Sequence, residues 1–407
     1  MSDLKQPLDV AFSILVMLLP FLHQYAGIGS ISFGELVLTP FIIVFLLIDQ
    51  RKLAMSMNHT LLYFYCLSLL LSIVGGFPFP YFSISDFASV AARLIYYGLL
   101  VLVARRHFLW CNIKKLYFFL VTASAIYLIL QYIYHSVTGL YLPITLNDSW
   151  VFGPERTFDV YTEKYLWYFR PSSLFLEPSY YALFVLPCFA FSLFSSSDKS
   201  IARAFLLLIT FVLSSSNSGL LISGTLIVGF ILFAKKSSGD YLAASLALLL
   251  IALYFAMGDT SSIESAVKRV FEGGSADNRI ARGYIAYGSL DIYHQLFGTG
   301  LNNLGNYLDF HHISTGFDSE SLNYCASIPQ TLCYSGLLGA SFLFAYLINL
   351  GTSCRSPLTF SIFLIILLVL NYESALFSYR FAFLVIILES QIGKRNLGSE
   401  RAEVNLS

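Results

Sequence analysis

The sequence predicts an all-α, polytopic integral membrane protein, and three observations lead to that prediction. First, 57% of the 407 residues are hydrophobic and only 12% are charged, whereas an ordinary soluble domain is roughly 25% charged. Second, the mean hydropathy is +0.71, and the apolar residues gather in runs long enough to cross a bilayer. Third, most lysines and arginines fall in alternate short segments between these runs. A soluble globule of this composition would have too few charged side chains to cover its surface.

The apolar runs define about twelve transmembrane helices, because a bilayer core about 30 Å thick needs roughly 20 apolar residues per helix. The first run is long enough to span, and no small-residue cleavage site follows it. We expect spans near residues 8–28, 31–48, 60–77, 86–103, 116–135, 178–195, 201–214, 217–234, 240–257, 327–349, 357–373 and 377–393. Residues 201–234 would also fit one span with a re-entrant piece around Ser214–Gly219.

The basic residues predict that both termini lie inside, because short cytoplasmic loops accumulate lysine and arginine. In that orientation the inside segments hold 15 of the 24 lysines and arginines, and seven of the other nine lie in two long external segments. These segments, about 136–177 and about 258–326, are the two large loops of the predicted fold. No repeat or linker divides the chain, so we expect residues 1–407 to form a single membrane domain. Long loops often carry function, so both loops are candidate sites.

The composition also limits the chemistry. A net charge of zero gives no electrostatic attraction to nucleic acid. The six cysteines lack a metal-binding spacing, and the sequence contains no Walker A, HExxH or DxD motif. We therefore expect no metal, no cofactor and no nucleic-acid partner.

The first external loop combines aromatic residues with a motif of one arginine and one carboxylate. Trp150, Trp167 and Tyr168 would suit stacking on the apolar faces of sugar rings, although such residues also line membrane interfaces. The loop ends in Arg170-Pro171-Ser172-Ser173-Leu174-Phe175-Leu176-Glu177-Pro178-Ser179. A proline favours the first turn of a helix, so Glu177 would stand at a helix N-terminus, where the dipole stabilises an ionised carboxylate. Glu177 is then a general base or the partner of a cation; the alternative is a plain helix cap that pairs with Arg170.

The second external loop contains a basic cluster, in which Lys268, Arg269, Arg279 and Arg282 fall within 15 positions. The guanidinium fork binds phosphate oxygens in pairs, so the arginines suit a lipid-linked phosphate or pyrophosphate. Attraction to anionic lipid headgroups is the alternative. Arg93, near the outer end of the fourth span, would reach the same site.

Four charges lie within predicted spans or at their edges, namely Glu35, Arg93, Glu373 and Glu389. A charge at mid-membrane costs roughly 2.5–3.5 kcal/mol on insertion scales. Each of these residues must therefore face protein or water.

Together these features resemble the O-antigen polymerase (Wzy-type) family, which shares a superfamily with O-antigen ligases and other exopolysaccharide polymerases. The resemblance covers roughly residues 8–393 and rests on the topology and on four local motifs. These are Arg170–Ser179, Ser214–Gly219, Arg279–Asn303 with its Leu-Phe-Gly-x-Gly-Leu-x-Asn ending, and Gly336–Gly339. It implies an inner-membrane glycosyltransferase with a periplasmic active site. Such an enzyme joins oligosaccharide repeat units carried on undecaprenyl pyrophosphate and needs neither metal nor nucleotide.

The resemblance also implies roles for individual residues. The candidates for binding the pyrophosphate are Arg170, Arg279, Arg282, Arg269 and Arg93, and the catalytic candidates are Glu177, Arg170 and Arg279. The proton acceptor is left open between Glu177, Asp277, a histidine and no residue at all. The implied partners are the lipid-linked oligosaccharide and membrane lipid, and the sequence leaves open a chain-length regulator protein.

The same features leave two alternatives to a polymerase, a ligase and a flippase. An O-antigen ligase, which transfers the glycan to lipid A–core, typically has a His-Asn pair about eleven residues before a Gly-Leu-Leu-Gly. Alignment on Gly336–Gly339 places Cys325 and Ala326 there, which favours a polymerase. A lipid-linked oligosaccharide flippase would often show inverted repeats, and none is visible.

Overall fold

The computed structural model describes residues 2–29, 31–49, 59–147, 150–151, 169–195, 197–198, 200–233, 275–315 and 325–404. Helices make up 77% of the structure, and these residues contain no strand. The all-α fold class is therefore confirmed. The fourteen helices of the described residues, α1 to α14, are Ser2–Leu22, Phe33–Ile48, His59–Gly76, Ile84–His107, Trp110–Thr138, Pro178–Phe194, Ile201–Ser214, Asn217–Phe233, Ser275–Gly288, Ile292–Phe297, Leu304–Phe310, Ser327–Thr352, Pro357–Tyr372 and Tyr379–Val404.

Helices occupy the positions of eleven of the twelve predicted spans, and the ninth, 240–257, lies outside the described residues. By length and composition α3, α4, α5 and α12 could each cross a membrane. Six further apolar helices are shorter, with 10 to 17 residues. Residues 201–233 form two helices, because Ser215 adopts a left-handed conformation (φ 48°) between α7 and α8.

α6 lies at the centre of the bundle because it is apolar on every side. It contains no charged residue, and its side chains from Tyr181 to Leu193 are all buried. Pro187 lacks an N–H group and disturbs the hydrogen bonds of the helix. The hydroxyl of Tyr117 on α5 donates to the carbonyl of Phe184 at 2.8 Å and accepts from the N–H of Cys188 at 3.1 Å. It thereby bridges the disturbed turn.

The outward faces of the long helices are also apolar. Leu70 on α3, Phe119 on α5 and Ile348 on α12 leave 56%, 67% and 66% of their surface exposed. Soluble monomers rarely expose extended apolar surfaces, whereas lipid is a suitable neighbour for such side chains. The exposed faces and the four long helices both support membrane association.

α12 is broken at Gly336, and a loop fills the break. Gly336 has φ 66° and ψ −171°, a conformation that is essentially restricted to glycine. The carbonyls of Cys333 and Tyr334 accept hydrogen bonds from the N–H groups of Thr299 and Gly300 at 2.9 and 3.1 Å. The Leu-Phe-Gly-x-Gly motif of Arg279–Asn303 therefore has a structural role, since its backbone satisfies carbonyls beside the break.

Ion pairs of the described residues occur at two ends of the helices. One group lies where α1 begins and where α2 and α4 end. There the ring of His107 is 2.9 Å from a carboxylate oxygen of Asp9 and 3.3 Å from one of Asp49. A second group lies where α6 and α14 begin, and it contains most of the candidate residues.

Candidate functional site

The candidate site is built on the connection between α13 and α14, which α12 holds in place. The hydroxyl of Ser327, the first residue of α12, donates to the carbonyl of Glu373. It also accepts from the N–H groups two and three residues after Glu373. The N–H of Ala326 donates to the carbonyl of Arg279 on α9. The start of α12 therefore brings Glu373 next to the helix that carries Arg279.

Glu373 is a carboxylate shared by two arginines. It is only 5% exposed, and its Oε2 lies 2.5 Å from Nη1 of Arg279 and 4.0 Å from Nη1 of Arg380. Arg380 also donates from Nη2 to the carbonyl of Ser374 at 2.6 Å, and its guanidinium lies 4.9 Å from the centre of the Tyr180 ring. Two guanidiniums are thus held side by side with one negative charge between them.

Glu177 precedes the first residue of α6, where the sequence analysis expected it. Its carboxylate makes no capping bond to the helix backbone and accepts a hydrogen bond from the hydroxyl of Ser179 at 3.0 Å. The charges of Glu177, Glu373, Arg279 and Arg380 all act on Tyr180 in the first turn of α6. Glu177 and Arg279 therefore belong to one charged group.

The guanidinium of Arg170 hydrogen-bonds to the C-terminal end of α7 and does not pair with Glu177. Its Nη2 donates to the carbonyl of Ser215 at 2.8 Å, and its Nε donates to that of Ser214 at 3.4 Å. These carbonyls lie at the C-terminal end of α7. An arginine there satisfies backbone acceptors that lack a partner within the helix, and its charge complements the helix dipole. The ion pair between Arg170 and Glu177 that the sequence offered as an alternative is not formed.

A second group of side chains lies between α1 and α2. Glu35 accepts hydrogen bonds from the N–H of Ser32 at 2.7 Å and from the hydroxyl of Tyr97 at 2.5 Å. Nδ1 of His23 lies 2.9 Å from the hydroxyl of Ser32 and 4.0 Å from Glu35 Oε1. The His23 ring packs against Tyr379, the neighbour of Arg380, with 4.3 Å between ring centres.

Burial is the main influence on the His23 imidazole, and three neighbouring charges add to it or oppose it. Burial, followed by the positive charges of Arg93 and Arg380, lowers the pKa of His23 to about 4 against the opposing effect of Glu35. Arg380 therefore acts on His23 and on Tyr180, and it joins the two groups. We call the combined set the arginine–carboxylate cluster; its members are His23, Glu35, Arg93, Glu177, Arg279, Glu373 and Arg380.

The remaining candidates are not in this cluster. Arg282 is half-buried on α9, one turn after Arg279. The side chain of Trp150 is 63% exposed, and its carbonyl accepts from the N–H of Ala26 in the α1–α2 connection. Arg269, Trp167 and Tyr168 lie outside the described residues, as does the side chain of Asp277.

Sequence reasoning gave no role to four members of the cluster. Glu35 and Glu373 were visible as charges in apolar runs, and that signal could have identified them as site residues. His23 and Arg380 stand at the ends of predicted spans, where polar residues are common. Only the folded arrangement brings them to Glu177 and Arg279.

Neither a protein-family model, nor a curated protein, nor a solved structure matches the chain. Its fold and site define an all-helical protein with four helices able to cross a membrane and a cluster of charges at one end. Within the described ranges, no group of three or more His, Cys, Asp and Glu side chains is arranged to hold a metal ion. The paired guanidiniums suit an anionic ligand with several oxygens, such as a phosphate.

Proposed function

We propose that the chain is a Wzy-type polysaccharide polymerase, a glycosyltransferase that joins oligosaccharide repeat units carried on undecaprenyl pyrophosphate. The observation that carries this proposal is the pair of guanidiniums, Arg279 and Arg380, on the single buried carboxylate of Glu373. Planar guanidinium forks match phosphate oxygens. Glu177 and Arg279, which belong to two of the family-like motifs, both lie near Tyr180 in this cluster.

In this proposal the chain crosses the inner membrane twelve times with both termini inside, and residues about 136–177 and 258–326 are periplasmic loops. The ion pairs support the arrangement, because the nine pairs named here each join residues assigned to the same side. The inside pairs are Asp9–His107, Asp49–His107, Asp49–Arg106, Arg105–Glu389 and Lys114–Asp198. The outside pairs are His23–Glu35, Arg279–Glu373, Arg380–Glu373 and Asp291–His294. The arginine–carboxylate cluster then faces the periplasm.

The reaction is a displacement at the anomeric carbon of the growing chain. A hydroxyl of one lipid-linked repeat unit attacks that carbon, and the electron pair of the broken C–O bond leaves on the lipid pyrophosphate. Arg279 and Arg380 donate to the pyrophosphate oxygens and stabilise the charge that develops there. Glu373 holds both guanidiniums in place before the substrate binds, which lowers the cost of ordering them. Glu177 orients an arginine or accepts the proton, and Trp150 contacts the sugars.

The experiment that tests the proposal is complementation. In a source strain lacking the gene, the wild-type chain should restore long-chain polysaccharide, seen as a ladder on a gel. Arg279→Ala and Arg380→Ala should shorten or abolish the ladder, since loss of one charge-stabilising donor typically lowers turnover about 10²–10³-fold. Glu177→Ala should do the same, because in this proposal Glu177 orients an arginine or accepts the proton. Arg355→Ala is the matched control, because Arg355 is exposed between α12 and α13, on the predicted inner side. Immunoblots of membranes check the amount of each variant.

Unchanged long-chain polysaccharide from all three variants would contradict the proposal. The deletion strain separates the alternatives. Single repeat units on the acceptor indicate a polymerase, a bare acceptor indicates a ligase, and loss of repeat-unit transport across the membrane indicates a flippase.

A further inference from the structure

Arg380 is held along one edge of its guanidinium by the segment that leads into α14. Its Nη2 donates to the carbonyl of Ser374 at 2.6 Å, and its Nε donates to the hydroxyl of Ser378 at 3.2 Å. Nη1 lies 4.0 Å from Glu373 Oε2, and it donates no hydrogen bond to any residue that the structure describes. Ser374 and Ser378 therefore determine that the Nη1 end of the guanidinium is left for a ligand.

The direction of the Ser374 carbonyl is set by side chains and not by a helix, because Ser374 lies in the connection between α13 and α14. The hydroxyl of Ser374 donates to Oε1 of Gln330 on α12 at 3.2 Å. Ser327, one turn earlier on α12, binds the residues on either side of Ser374. The start of α12 therefore fixes the carbonyl that holds Arg380.

Gln330 is a buried amide that bonds on both sides. It is 5% exposed, and its Nε2 donates to the hydroxyl of Tyr334, one helical turn later, at 3.3 Å. The Tyr334 hydroxyl lies 3.3 Å from the side chain of Asn302 in the loop that packs against α12. An amide carries both a donor and an acceptor, so it can join Ser374 to Tyr334 whichever way its oxygen and nitrogen are placed. A buried amide is costly unless it is bonded, which indicates a role beyond filling space.

Resting on the proposed function, we propose that Gln330 is a positioning residue for pyrophosphate binding. It does not touch the ligand. It fixes Ser374, the Ser374 carbonyl fixes Nη2 of Arg380, and Nη1 of Arg380 is thereby directed to the pyrophosphate oxygens. A donor that is oriented before the anion arrives loses less freedom on binding, and that saving appears as affinity.

The test measures the binding of inorganic pyrophosphate to purified full-length protein by calorimetry. Gln330→Leu, which keeps the size but not the hydrogen bonds, should weaken binding roughly 2- to 10-fold, the equivalent of one neutral hydrogen bond. Arg380→Ala should weaken it roughly 10- to 100-fold, because a charged donor is lost. The double variant should bind no more weakly than Arg380→Ala alone, because Gln330 acts through Arg380. A general structural role would instead give additive losses.

Gln131→Leu is the matched control. Gln131 is also a fully buried amide, on α5, and it holds a different segment through the carbonyls of Pro143 and Ser173. Its replacement removes hydrogen bonds of the same kind without touching the segment that binds Arg380. Any loss of affinity that it causes should therefore persist in full when Arg380→Ala is added.

Ser374→Ala is a second variant with a smaller structural effect, because it removes the hydroxyl and keeps the backbone carbonyl. It should weaken pyrophosphate binding in wild-type protein and not in the Arg380→Ala background. Additive losses, or wild-type affinity in both Gln330→Leu and Ser374→Ala, would overturn the role of Gln330 and leave the polymerase proposal standing. Wild-type protein that binds no pyrophosphate would overturn the pyrophosphate site together with the role of Gln330. Protein that shows the expected coupling but forms no polymer would overturn the polymerase proposal alone.

Discussion

Glu373 is held by two arginines from different helices, α9 and α14. Removing a carboxylate from water costs several kcal/mol, and nearby cations offset that cost only when the geometry is good. Arg380 has an exposed fraction of 14% and Arg279 one of 31%. The pair with Arg279 is the closer one, at 2.5 Å against 4.0 Å, but it is partly screened by solvent.

The substitution Glu373→Gln should therefore destabilise the protein. It leaves two guanidiniums without their shared counter-ion, and we expect a loss of about 1–3 kcal/mol, below the full value for a buried pair because Arg279 is partly exposed. Thermal unfolding of detergent-purified protein measures this loss. Glu177→Gln is the matched control, because Glu177 forms no ion pair in the described part of the chain; equal midpoints for the two variants would refute the prediction.

Residue chemistry could be predicted from the sequence, but residue partners could not. Glu373 stands out because a charge in an apolar run is costly. Arg170 was paired with Glu177 because the two are close in sequence, whereas its guanidinium caps α7. His23 and Arg380 are separated by most of the chain, and nothing in local spacing shows that they meet.

At the scale of elements, helix positions could be predicted because apolar runs end at charged, proline or glycine positions. The break in α12 could not be predicted. Residues 327–349 read as one uninterrupted span, and a glycine within such a run is ordinary in membrane helices. The loop that satisfies the carbonyls beside the break belongs to a different part of the sequence, so only packing shows the connection.

Gly336→Ala should strain this junction. Besides its positive φ, a Cβ at position 336 would collide with the backbone of Leu296 and Phe297, and strain of this kind costs about 1–3 kcal/mol. The unfolding midpoint should fall accordingly. Gly229→Ala on α8 is the control, since its Cβ meets open space and alanine favours a helix by about 0.8–1 kcal/mol. A midpoint for Gly336→Ala at or above that of wild type would show that the break tolerates a side chain.

At the scale of the whole molecule, charges occupy two ends and apolar surface lies between them. This distribution follows from composition, because so few charges can satisfy a fold only where water or a partner is present. The sequence could therefore predict that charges gather outside the apolar runs. It could not predict which residues within a side form one site, since that depends on how α6, α9, α12 and α14 pack.

The orientation can be tested with thiol labelling. Ile292 is 77% exposed on α10, on the predicted outer side, whereas Cys111 is exposed near the start of α5 on the predicted inner side. In spheroplasts, a chain with Ile292→Cys as its only reactive thiol should react with a membrane-impermeant maleimide. A chain that keeps only Cys111 should react after permeabilisation. The reverse pattern would place the arginine–carboxylate cluster in the cytoplasm.

The break in α12 also has an evolutionary consequence. A Cβ at Gly336 would strike the backbone just before Gly298, and a Cβ at Gly298 would strike the backbone just before Gly336. Neither position can gain a side chain while the other half of the junction is retained. Related chains should therefore keep or lose both glycines together, as a correlated pair separated by a variable length of loop. That pair offers a criterion for recognising distant homologues whose overall identity is too low to align.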